Sequence, residues 1–338
     1  MSMEFRSLGR TGIKVSVLCL GCMMFGGRTT PDDSYAIIDR ALDAGINFLD
    51  TANVYSRGRS EEVTGQALKR NGKRNRIVLA TKVHGVMADD DPNMQGNSRR
   101  HIIEQCDASL KRLQTDYIDL YQIHRPQSAI PIDETLRALD DLIRAGKVRY
   151  IGTTTYAAWQ LMEALMVARE LGLNRFVCEQ PPYNLLDRRI ERELIPFAQT
   201  YGIGLIPWSP LAGGLLTGKY DKATPPPEGT RFADKNNPML AKRMNDQSLA
   251  TVDEFKTYVT GRGASTLSQF SLAWCVSQPA ITSPIIGPRT MEQLEDNLKA
   301  LNVSITDDDR KHIDEIVPKG GMVAPYYEAD FGPHQFRL

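Results

Sequence analysis

Four side chains at or just after the ends of short apolar runs could together carry out acid–base chemistry. Asp50 ends the run INFLD, Lys82 ends IVLATK and His124 ends YIDLYQIH, while Tyr55 follows Asp50 by a few residues. A charged group at the end of a buried strand costs free energy unless it is paired or functional. The pattern therefore predicts that these four groups share one site.

Each residue also has an ordinary structural interpretation when it is considered alone. Asp50 could cap the next turn, Lys82 could reach solvent from a rim, and His124 could be a hydrogen-bonded core histidine. Because three successive apolar runs end in this way and a tyrosine accompanies the first, we favour a common functional site.

The chemistry that these groups could share is the polarisation and protonation of a carbonyl. A tyrosine ordinarily has a pKa of about 10, and a nearby ammonium lowers that pKa and makes the hydroxyl a better acid. Lys82 would supply the ammonium, and Asp50 would hold it in a buried ion pair. His124 would donate a hydrogen bond to the carbonyl oxygen. Such a site has no reductant of its own.

Apolar runs alternate with amphipathic segments along the chain. Eight strands are predicted, at 17–21, 46–51, 77–83, 117–124, 148–155, 175–181, 202–209 and 281–287. Helices are predicted at 32–44, 60–69, 98–113, 132–145, 157–171, 188–201, 266–277 and 290–300. Eight strands each followed by a helix predict an α/β fold, a (β/α)8 TIM barrel whose active site forms at the C-terminal ends of its strands.

One domain over residues 1–338 is expected, since such barrels often exceed about 250 residues. FRSLGRTGIKVS predicts an N-terminal β-hairpin that caps the barrel floor. The long loop after strand seven, 213–263, is predicted to be a lid with a helix at 247–258, although a tolerated surface insertion is the alternative. Residues 301–338 are expected to form a helix and a tail, which either covers the mouth or makes a subunit contact.

Composition excludes several classes of protein. The 41 basic and 41 acidic residues balance, which argues against a nucleic acid or an acidic membrane surface as partner. The first residues do not resemble a signal peptide and no stretch resembles a membrane span, so a cytoplasmic protein is expected. The five histidines show no metal-ligand spacing, so no metal site is predicted and a metal-dependent barrel hydrolase is disfavoured.

The five cysteines are scattered and odd in number, which does not indicate a disulfide framework. Cys19 and Cys22 form a CxxC, a spacing found in redox motifs. Such motifs need the second half to open a helix that stabilises the thiolate. Here the motif lies in a strand that enters a glycine turn, which favours packing or pocket lining over redox chemistry.

The segment INFLDTANVYSRGRSEEVTGQALK, together with IVLATK and DYIDLYQIH, resembles the aldo-keto reductase superfamily. The similarity covers nearly the whole chain and is greatest to the longer-chain branch, which includes bacterial and plant reductases and potassium-channel β subunits. It implies that Tyr55 is the general acid, that Lys82 and Asp50 tune it, and that His124 orients the substrate carbonyl. It also implies that NADPH is the hydride donor, bound without a Rossmann fold.

The resemblance also implies a cofactor-binding set, which comprises Cys22, Met23, Asp50, Thr154, Gln180, Trp208, Ser209, Pro210, Leu211, Gly213, Lys219, Arg231, Gly287, Arg289, Gln293, Asp296 and Asn297. Thr154 and Gln180 would bind the carboxamide, and Trp208 would stack on the nicotinamide. Arg289 offers a fork for a 2′-phosphate, which favours NADP(H) over NAD(H). The alternative for Arg289 is an exposed arginine at a helix start.

The chain departs from the family at residues 152–155, GTTT, where Gly-x-Ser-Asn or a close variant is common. Thr154 keeps a hydroxyl for the carboxamide, whereas Thr155 lacks the amide of asparagine. Met23 and Met24 predict an adaptable apolar wall at the rim of strand one.

The predicted function is NADPH-dependent reduction of an aldehyde, ketone or sugar-like carbonyl to an alcohol. The expected partner is a small carbonyl substrate, with an oligomer possible. The alternative is an NADP(H)-binding regulatory subunit with little turnover, as the channel β subunits illustrate. The sequence shows no long N-terminal extension that could dock on a partner, which disfavours that alternative.

Overall fold

A computed structural model describes residues 3–234, 237–263 and 265–327. A two-stranded antiparallel hairpin comes first, formed by β1 (Phe5–Ser7) and β2 (Lys14–Ser16). Eight parallel strands follow, β3 (Cys19–Gly21), β4 (Phe48–Asp50), β5 (Val78–Val83), β6 (Ile118–Ile123), β7 (Val148–Thr154), β8 (Cys178–Gln180), β9 (Gly204–Leu205) and β10 (Ile285–Ile286). All eight predicted strands are thus present in the described part of the chain.

The α-helices of the described residues are α1 (Pro31–Asp43), α2 (Arg59–Asn71), α3 (Arg99–Leu113), α4 (Ile132–Arg144), α5 (Ala158–Glu170), α6 (Leu194–Tyr201), α7 (Pro238–Arg243), α8 (Asp246–Arg262), α9 (Leu267–Val276), α10 (Met291–Lys299) and α11 (Asp307–Ile316). Most agree with the predicted helices to within a residue or two. Four hydroxyl side chains directly before helices accept hydrogen bonds from first-turn amides, those of Thr30, Ser98, Thr266 and Thr290.

The parallel sheet closes on itself. The strands are hydrogen-bonded in the order β10, β3, β4, β5, β6, β7, β8, β9. Across the remaining seam, Leu205 donates to the carbonyl of Ala280 at 3.2 Å, and Thr282 donates back to Leu205 at 2.7 Å. The predicted (β/α)8 barrel is therefore confirmed.

The N-terminal hairpin packs into the bottom of the barrel. Leu8 and Val15 are fully buried and belong to the cluster of side chains inside the barrel, with Phe48 and Leu120 among them. Gly9 at the hairpin turn has φ +57°, and a Cβ there would lie 2.3 Å from the carbonyl oxygen of Val177. The turn therefore approaches strand ends too closely for any residue but glycine.

One predicted helix is shorter than expected. The sequence pattern indicates a helix over 188–201, but the structure has a 3-10 turn, Arg189–Glu191, and then α6 from Leu194. Pro196 explains the difference, because proline lacks an amide hydrogen and is tolerated only in the first turn of a helix. A helix that began at Arg188 would place Pro196 in its interior.

The long segment after β9 runs from the strand ends across to the β10 side of the barrel. It contains two 3-10 turns, Ala212–Thr217 and Arg231–Ala233, followed by α7 and the predicted helix α8. The chain after α11 returns to this region, where Arg243 donates to the carbonyl of Pro325 at 2.9 Å. The remainder of the predicted tail, 328–338, lies outside the described residues.

Candidate active site

The barrel brings the four predicted acid–base residues to one rim. Asp50 is the last residue of β4, Lys82 is the fifth of β5, and His124 directly follows β6. Tyr55 begins a 3-10 turn after β4, in which Ser56 and Arg57 both have positive φ. Such backbone is uncommon for non-glycine residues and costs about 1–3 kcal/mol each, so the surrounding structure fixes the turn that presents Tyr55.

Lys82 forms a buried ion pair with Asp50. The ammonium Nζ lies 2.5 Å from Asp50 Oδ2 and 2.8 Å from the carbonyl oxygen of Thr51. It also lies 3.3 Å from the hydroxyl of Tyr55. Burial by itself lowers the pKa of Lys82, but the charges of Asp50 and Tyr55 outweigh it, and the pKa lies above the ordinary value. Lys82 therefore presents a positive charge to the tyrosine oxygen.

A glutamine that the sequence analysis did not identify completes the environment of Asp50. Gln122 on β6 and Gln180 on β8 each donate an amide hydrogen to Asp50 Oδ1 at 3.0 Å. Gln122 is fully buried. The signal for it was present, because a glutamine within the apolar strand IDLYQI must find a hydrogen-bonding partner.

His124 lies beside Tyr55 and is neutral at ordinary pH. Their rings meet edge to face with centroids 5.5 Å apart. Burial, followed by the charges of Lys82 and Arg125, holds the pKa of His124 well below its usual value. A neutral imidazole carries one N–H that can donate to a ligand oxygen.

A cavity of about 700 Å³ opens at this rim. Its lining includes the catalytic candidates Asp50, Tyr55 and His124 and the cofactor-binding candidates Met23, Thr154, Gln180, Trp208, Ser209, Pro210, Leu211, Gly213, Lys219, Arg231, Gly287, Arg289, Gln293, Asp296 and Asn297. Residues from widely separated segments of the chain thus meet around one space.

Two predicted site residues do not line the cavity. Lys82 lies behind Asp50 and Tyr55 and is fully buried. Cys22 is also fully buried, and its thiol contacts the carbonyl oxygen of Leu20 at 3.7 Å. Burial raises the pKa of Cys22 to about 12 and that of Cys19 well above its usual value. Both thiols are protonated at neutral pH, which argues against redox chemistry at this CxxC.

Several donors along the cavity suit a ligand rich in acceptor oxygens. Trp208 Nε1 and the Tyr220 hydroxyl are buried without a hydrogen-bonding partner in the described structure. Within the same residues, the ammonium of Lys219 and the guanidinium of Arg231 form no hydrogen bond or ion pair. Unsatisfied donors and cations around one cavity fit a phosphate-bearing nicotinamide cofactor.

The loop after β9 is held by contacts with the chain after α11 and with Arg289, just before α10. Ser209 and Ala212 have positive φ, and the hydroxyl of Tyr326 donates to the carbonyl of Ala212 at 2.6 Å. Arg289 Nη1 donates to the carbonyl of Gly229 in the loop at 2.8 Å. This contact joins the predicted lid to the start of α10.

Three features near the ends of β6, β7 and β8 were not predicted from the sequence. Thr155 has φ +63°, unusual for a β-branched residue. Arg125 Nη1 donates to the hydroxyls of Thr154 and Thr155 at 3.1 and 3.3 Å. Glu179 is fully buried, accepts hydrogen bonds from Thr153 Oγ1 at 2.5 Å and Tyr156 N at 3.1 Å, and has a pKa raised to about 8 by burial.

Comparison with known proteins decides the family. The family model described as Aldo/keto reductase family matches residues 17–318. The chain belongs to the aldo/keto reductase family. Membership implies oxidoreductase activity and a nicotinamide cofactor, NAD(P)H.

Relatives of this aldo/keto reductase include enzymes and channel subunits. The probable voltage-gated potassium channel subunit beta of Oryza sativa subsp. japonica is 42% identical over 305 residues, 89% of this chain and 92% of the relative. The uncharacterized oxidoreductase YrpG of Bacillus subtilis (strain 168) is 40% identical over 331 residues, 96% and 98%. The versiconal hemiacetal acetate reductase of Aspergillus parasiticus is 35% identical over 342 residues, 94% and 98%.

Neither a metal cluster nor a membrane span is found in the part of the chain that the structure describes. No group of three or more His, Cys, Asp and Glu side chains among these residues could hold a metal ion. None of the described helices is both long enough and apolar enough to cross a bilayer.

Proposed function

We propose that this aldo/keto reductase uses NADPH to reduce an aldehyde, ketone or sugar-like carbonyl to an alcohol, with Tyr55 as proton donor. The observation that carries the proposal is the position of the Tyr55 hydroxyl. It faces the cavity and lies 3.3 Å from the buried ammonium of Lys82, beside the ring of His124.

The side chains divide the work of polarising and protonating the carbonyl. A carbonyl oxygen in the cavity accepts the N–H of neutral His124 and the O–H of Tyr55, which draws electron density toward that oxygen. Tyr55 then transfers its proton to the oxygen as negative charge develops there. The Lys82 ammonium stabilises the resulting phenolate, and Asp50 keeps the ammonium in place.

The residues around the cavity would hold the cofactor along its length. Gln180 and Thr154 would bind the carboxamide, Trp208 would stack on the nicotinamide, and Ser209, Pro210, Leu211 and Gly213 would bind the pyrophosphate with Lys219 and Arg231. Gly287, Gln293, Asp296 and Asn297 would surround the adenosine end, where Arg289 would bind a 2′-phosphate. When bound, NADPH supplies the hydride for the carbonyl carbon.

The first experiment measures whether the purified protein oxidises NADPH in the presence of aldehydes, ketones and keto-sugars. We expect carbonyl-dependent oxidation with formation of the corresponding alcohol. Tight NADPH binding without turnover of any compound in a broad panel would contradict a reductase. The same panel with NADH measures the cofactor preference.

The similarity to proteins named as channel β subunits supports a second candidate, an NADP(H)-binding subunit that acts through a partner. Stoichiometric capture of a partner protein together with negligible turnover would favour this candidate. The Tyr55–Lys82–Asp50 arrangement favours the reductase, because a protein that only binds the cofactor has no need of a proton donor.

A further inference from the structure

Glu179 is a buried carboxyl group that the proposed reaction does not use. It is the middle residue of β8 and is fully buried. Side chains alternate between the two faces of a strand. Because Cys178 belongs to the cluster inside the barrel and Gln180 donates to Asp50, the side chain of Glu179 points the other way, toward the layer of helices. A carboxyl group in such a place needs hydrogen-bonding partners.

The partners of Glu179 lie on both sides of one turn. Thr153 Oγ1 donates to Glu179 Oε2 at 2.5 Å, and the backbone amide of Tyr156 donates to Oε1 at 3.1 Å. The two residues between these donors are Thr154, the last residue of β7, and Thr155. One carboxyl group thus brackets the turn that leaves β7, with one oxygen on each side.

The backbone of this turn has an unfavourable conformation. Thr155 has φ +63°, in the left-handed region, which costs a β-branched residue about 1–3 kcal/mol. The amide of Thr155 donates to the carbonyl oxygen of Gln180 at 3.2 Å, and the next amide, that of Tyr156, donates to Glu179. Two contacts from β8 therefore hold Thr155 in a conformation that it would otherwise leave.

The turn contributes to the cavity wall and contacts the residue beside Tyr55. Thr154 pairs with Gln180 across the strands, and both line the cavity. In the proposed function these two side chains bind the carboxamide of the cofactor. The hydroxyl of Thr154 also donates to the carbonyl oxygen of His124 at 3.2 Å. The position of Thr154 is therefore linked both to the nicotinamide and to His124.

Arg125 and Glu179 hold different parts of the turn. Arg125 Nη1 donates to the hydroxyls of Thr154 and Thr155 at 3.1 and 3.3 Å. These contacts orient the side chains, whereas the backbone amide of Tyr156 has its acceptor in Glu179. A buried amide that loses its acceptor costs about 1–3 kcal/mol. The contacts of Arg125 do not replace those of Glu179.

We propose that Glu179 is a positioning residue for the nicotinamide, which fixes the backbone of Thr154 and Thr155 and so sets the place where the carboxamide is bound. The inference rests on the proposed use of a nicotinamide cofactor and gives a role to a residue outside the cavity wall. Without Glu179 the backbone of Thr155 relaxes toward negative φ, and the hydroxyl of Thr154 moves away from the carboxamide. The adenosine end of the cofactor, expected near α10, binds as before.

The test measures the dissociation constants of two ligands by calorimetric titration. NADPH reports on the whole cofactor, and 2′,5′-ADP, which lacks the nicotinamide, reports on the adenosine end. Glu179→Leu removes both hydrogen bonds and keeps a side chain of similar size. We expect Kd for NADPH to rise about tenfold and Kd for 2′,5′-ADP to change less than about twofold. A misplaced nicotinamide should also lower kcat by about 10–100-fold.

Glu179→Gln is the conservative variant. Its side-chain oxygen accepts from the amide of Tyr156, and its NH2 group donates to Thr153 Oγ1. The hydroxyl of Thr153 then has the carbonyl oxygen of Cys178 as acceptor, at 3.5 Å. We therefore expect Glu179→Gln to keep both dissociation constants and kcat within about threefold of wild type.

Thr153→Val is a milder variant, which removes one of the two hydrogen bonds and keeps a β-branched residue in the strand. It is expected to raise Kd for NADPH about threefold to fivefold without changing Kd for 2′,5′-ADP, and it provides the test if Glu179→Leu does not fold.

Asp140→Leu is the matched control for loss of a buried carboxyl group. Asp140 is buried on α4 and accepts from the backbone amide of Asn174 at 2.9 Å. Asn174 precedes β8, at the opposite end of the barrel from the cavity. Asp140→Leu should lower the urea midpoint but leave the ratio of the two dissociation constants at the wild-type value.

The outcomes separate this inference from the proposed function. Wild-type protein that binds neither NADPH nor NADH would overturn the proposed cofactor. Binding without reduction of any carbonyl compound would overturn the proposed reaction, while the two titrations would still test Glu179. An unchanged Kd for NADPH in Glu179→Leu or in Thr153→Val, or an equal loss of affinity for 2′,5′-ADP, would overturn the positioning role.

Discussion

The ammonium of Lys82 donates to the carboxylate of Asp50 at 2.5 Å, and the Asp50 side chain is only 4% exposed while that of Lys82 is fully buried. Removing one member of such a pair leaves the other charge in a poorly solvated place. Lys82→Met is therefore expected to lower the free energy of unfolding by about 3–5 kcal/mol. Urea unfolding at neutral pH measures this change.

The double variant Asp50→Asn, Lys82→Met is the control for that experiment. An asparagine oxygen still accepts from Gln122 and Gln180, and no unpaired charge remains. We expect the double variant to be more stable than Lys82→Met alone, although it remains inactive. If the urea midpoint of Lys82→Met equals that of the wild type, the charge of Asp50 does not depend on Lys82 as a buried ion pair requires.

Loss of the Tyr55 hydroxyl should remove turnover without removing cofactor binding. Tyr55→Phe keeps the ring that contacts His124 but has no proton to transfer. A reduction of kcat by about 10²–10⁴-fold is expected for loss of general acid catalysis. Steady-state assays and an NADPH fluorescence titration measure the two effects. Undiminished turnover would refute the role proposed for Tyr55.

Arg289 is expected to distinguish NADPH from NADH. Arg289→Ala should raise KM for NADPH by about 10–100-fold through loss of a charge-assisted contact with the 2′-phosphate. KM for NADH should change less than about threefold, because the remaining loss is the hydrogen bond to Gly229. Arg169→Ala, at an exposed position on α5, serves as control. Equal weakening of both cofactors would show that Arg289 only holds the loop.

Tyr326 connects the chain after α11 to the loop that is expected to bind the pyrophosphate. Its hydroxyl donates to the carbonyl of Ala212 at 2.6 Å. Tyr326→Phe should weaken NADPH binding about fivefold, the effect of one neutral hydrogen bond, while leaving kcat unchanged. Tyr327→Phe is the matched control, since the hydroxyl of Tyr327 makes only a 3.4 Å contact with the carbonyl of Tyr156. Equal NADPH dissociation constants in the two variants would contradict the prediction.

Glu179 should make stability depend on pH in the neutral range. Burial raises its pKa from 4.5 to about 8 in the folded chain. Between these two pH values Glu179 holds a proton in the folded chain that it has lost in the unfolded chain. The contribution of Glu179 to the free energy of unfolding is therefore fully present below about pH 4.5 and is lost as pH rises through about 8. Glu179→Gln removes this titration. From about pH 6 to pH 9, Tm should fall by several degrees more in wild type than in Glu179→Gln. Parallel decreases would contradict the prediction.

The sequence determined the fold and the composition of the acid–base site. Periodicity distinguishes strands from helices, and eight strand–helix units can bury their apolar faces only in a closed barrel or a related layered sheet. In such a barrel the strand ends share one rim, so residues at the ends of adjacent strands, Asp50, Lys82 and His124, could be placed together without knowledge of any distance.

The tertiary structure decided which atoms meet. Gln122 contacts Asp50, and Tyr326 contacts Ala212, across 72 and 114 residues of sequence. Such contacts depend on strand register and on the path of long loops, which local periodicity does not encode. For the same reason Cys22 was expected at the cofactor, whereas its side chain is buried away from the cavity. The sequence thus specified the residue types at the rim, and barrel closure fixed their hydrogen-bonding partners and the charge around Tyr55.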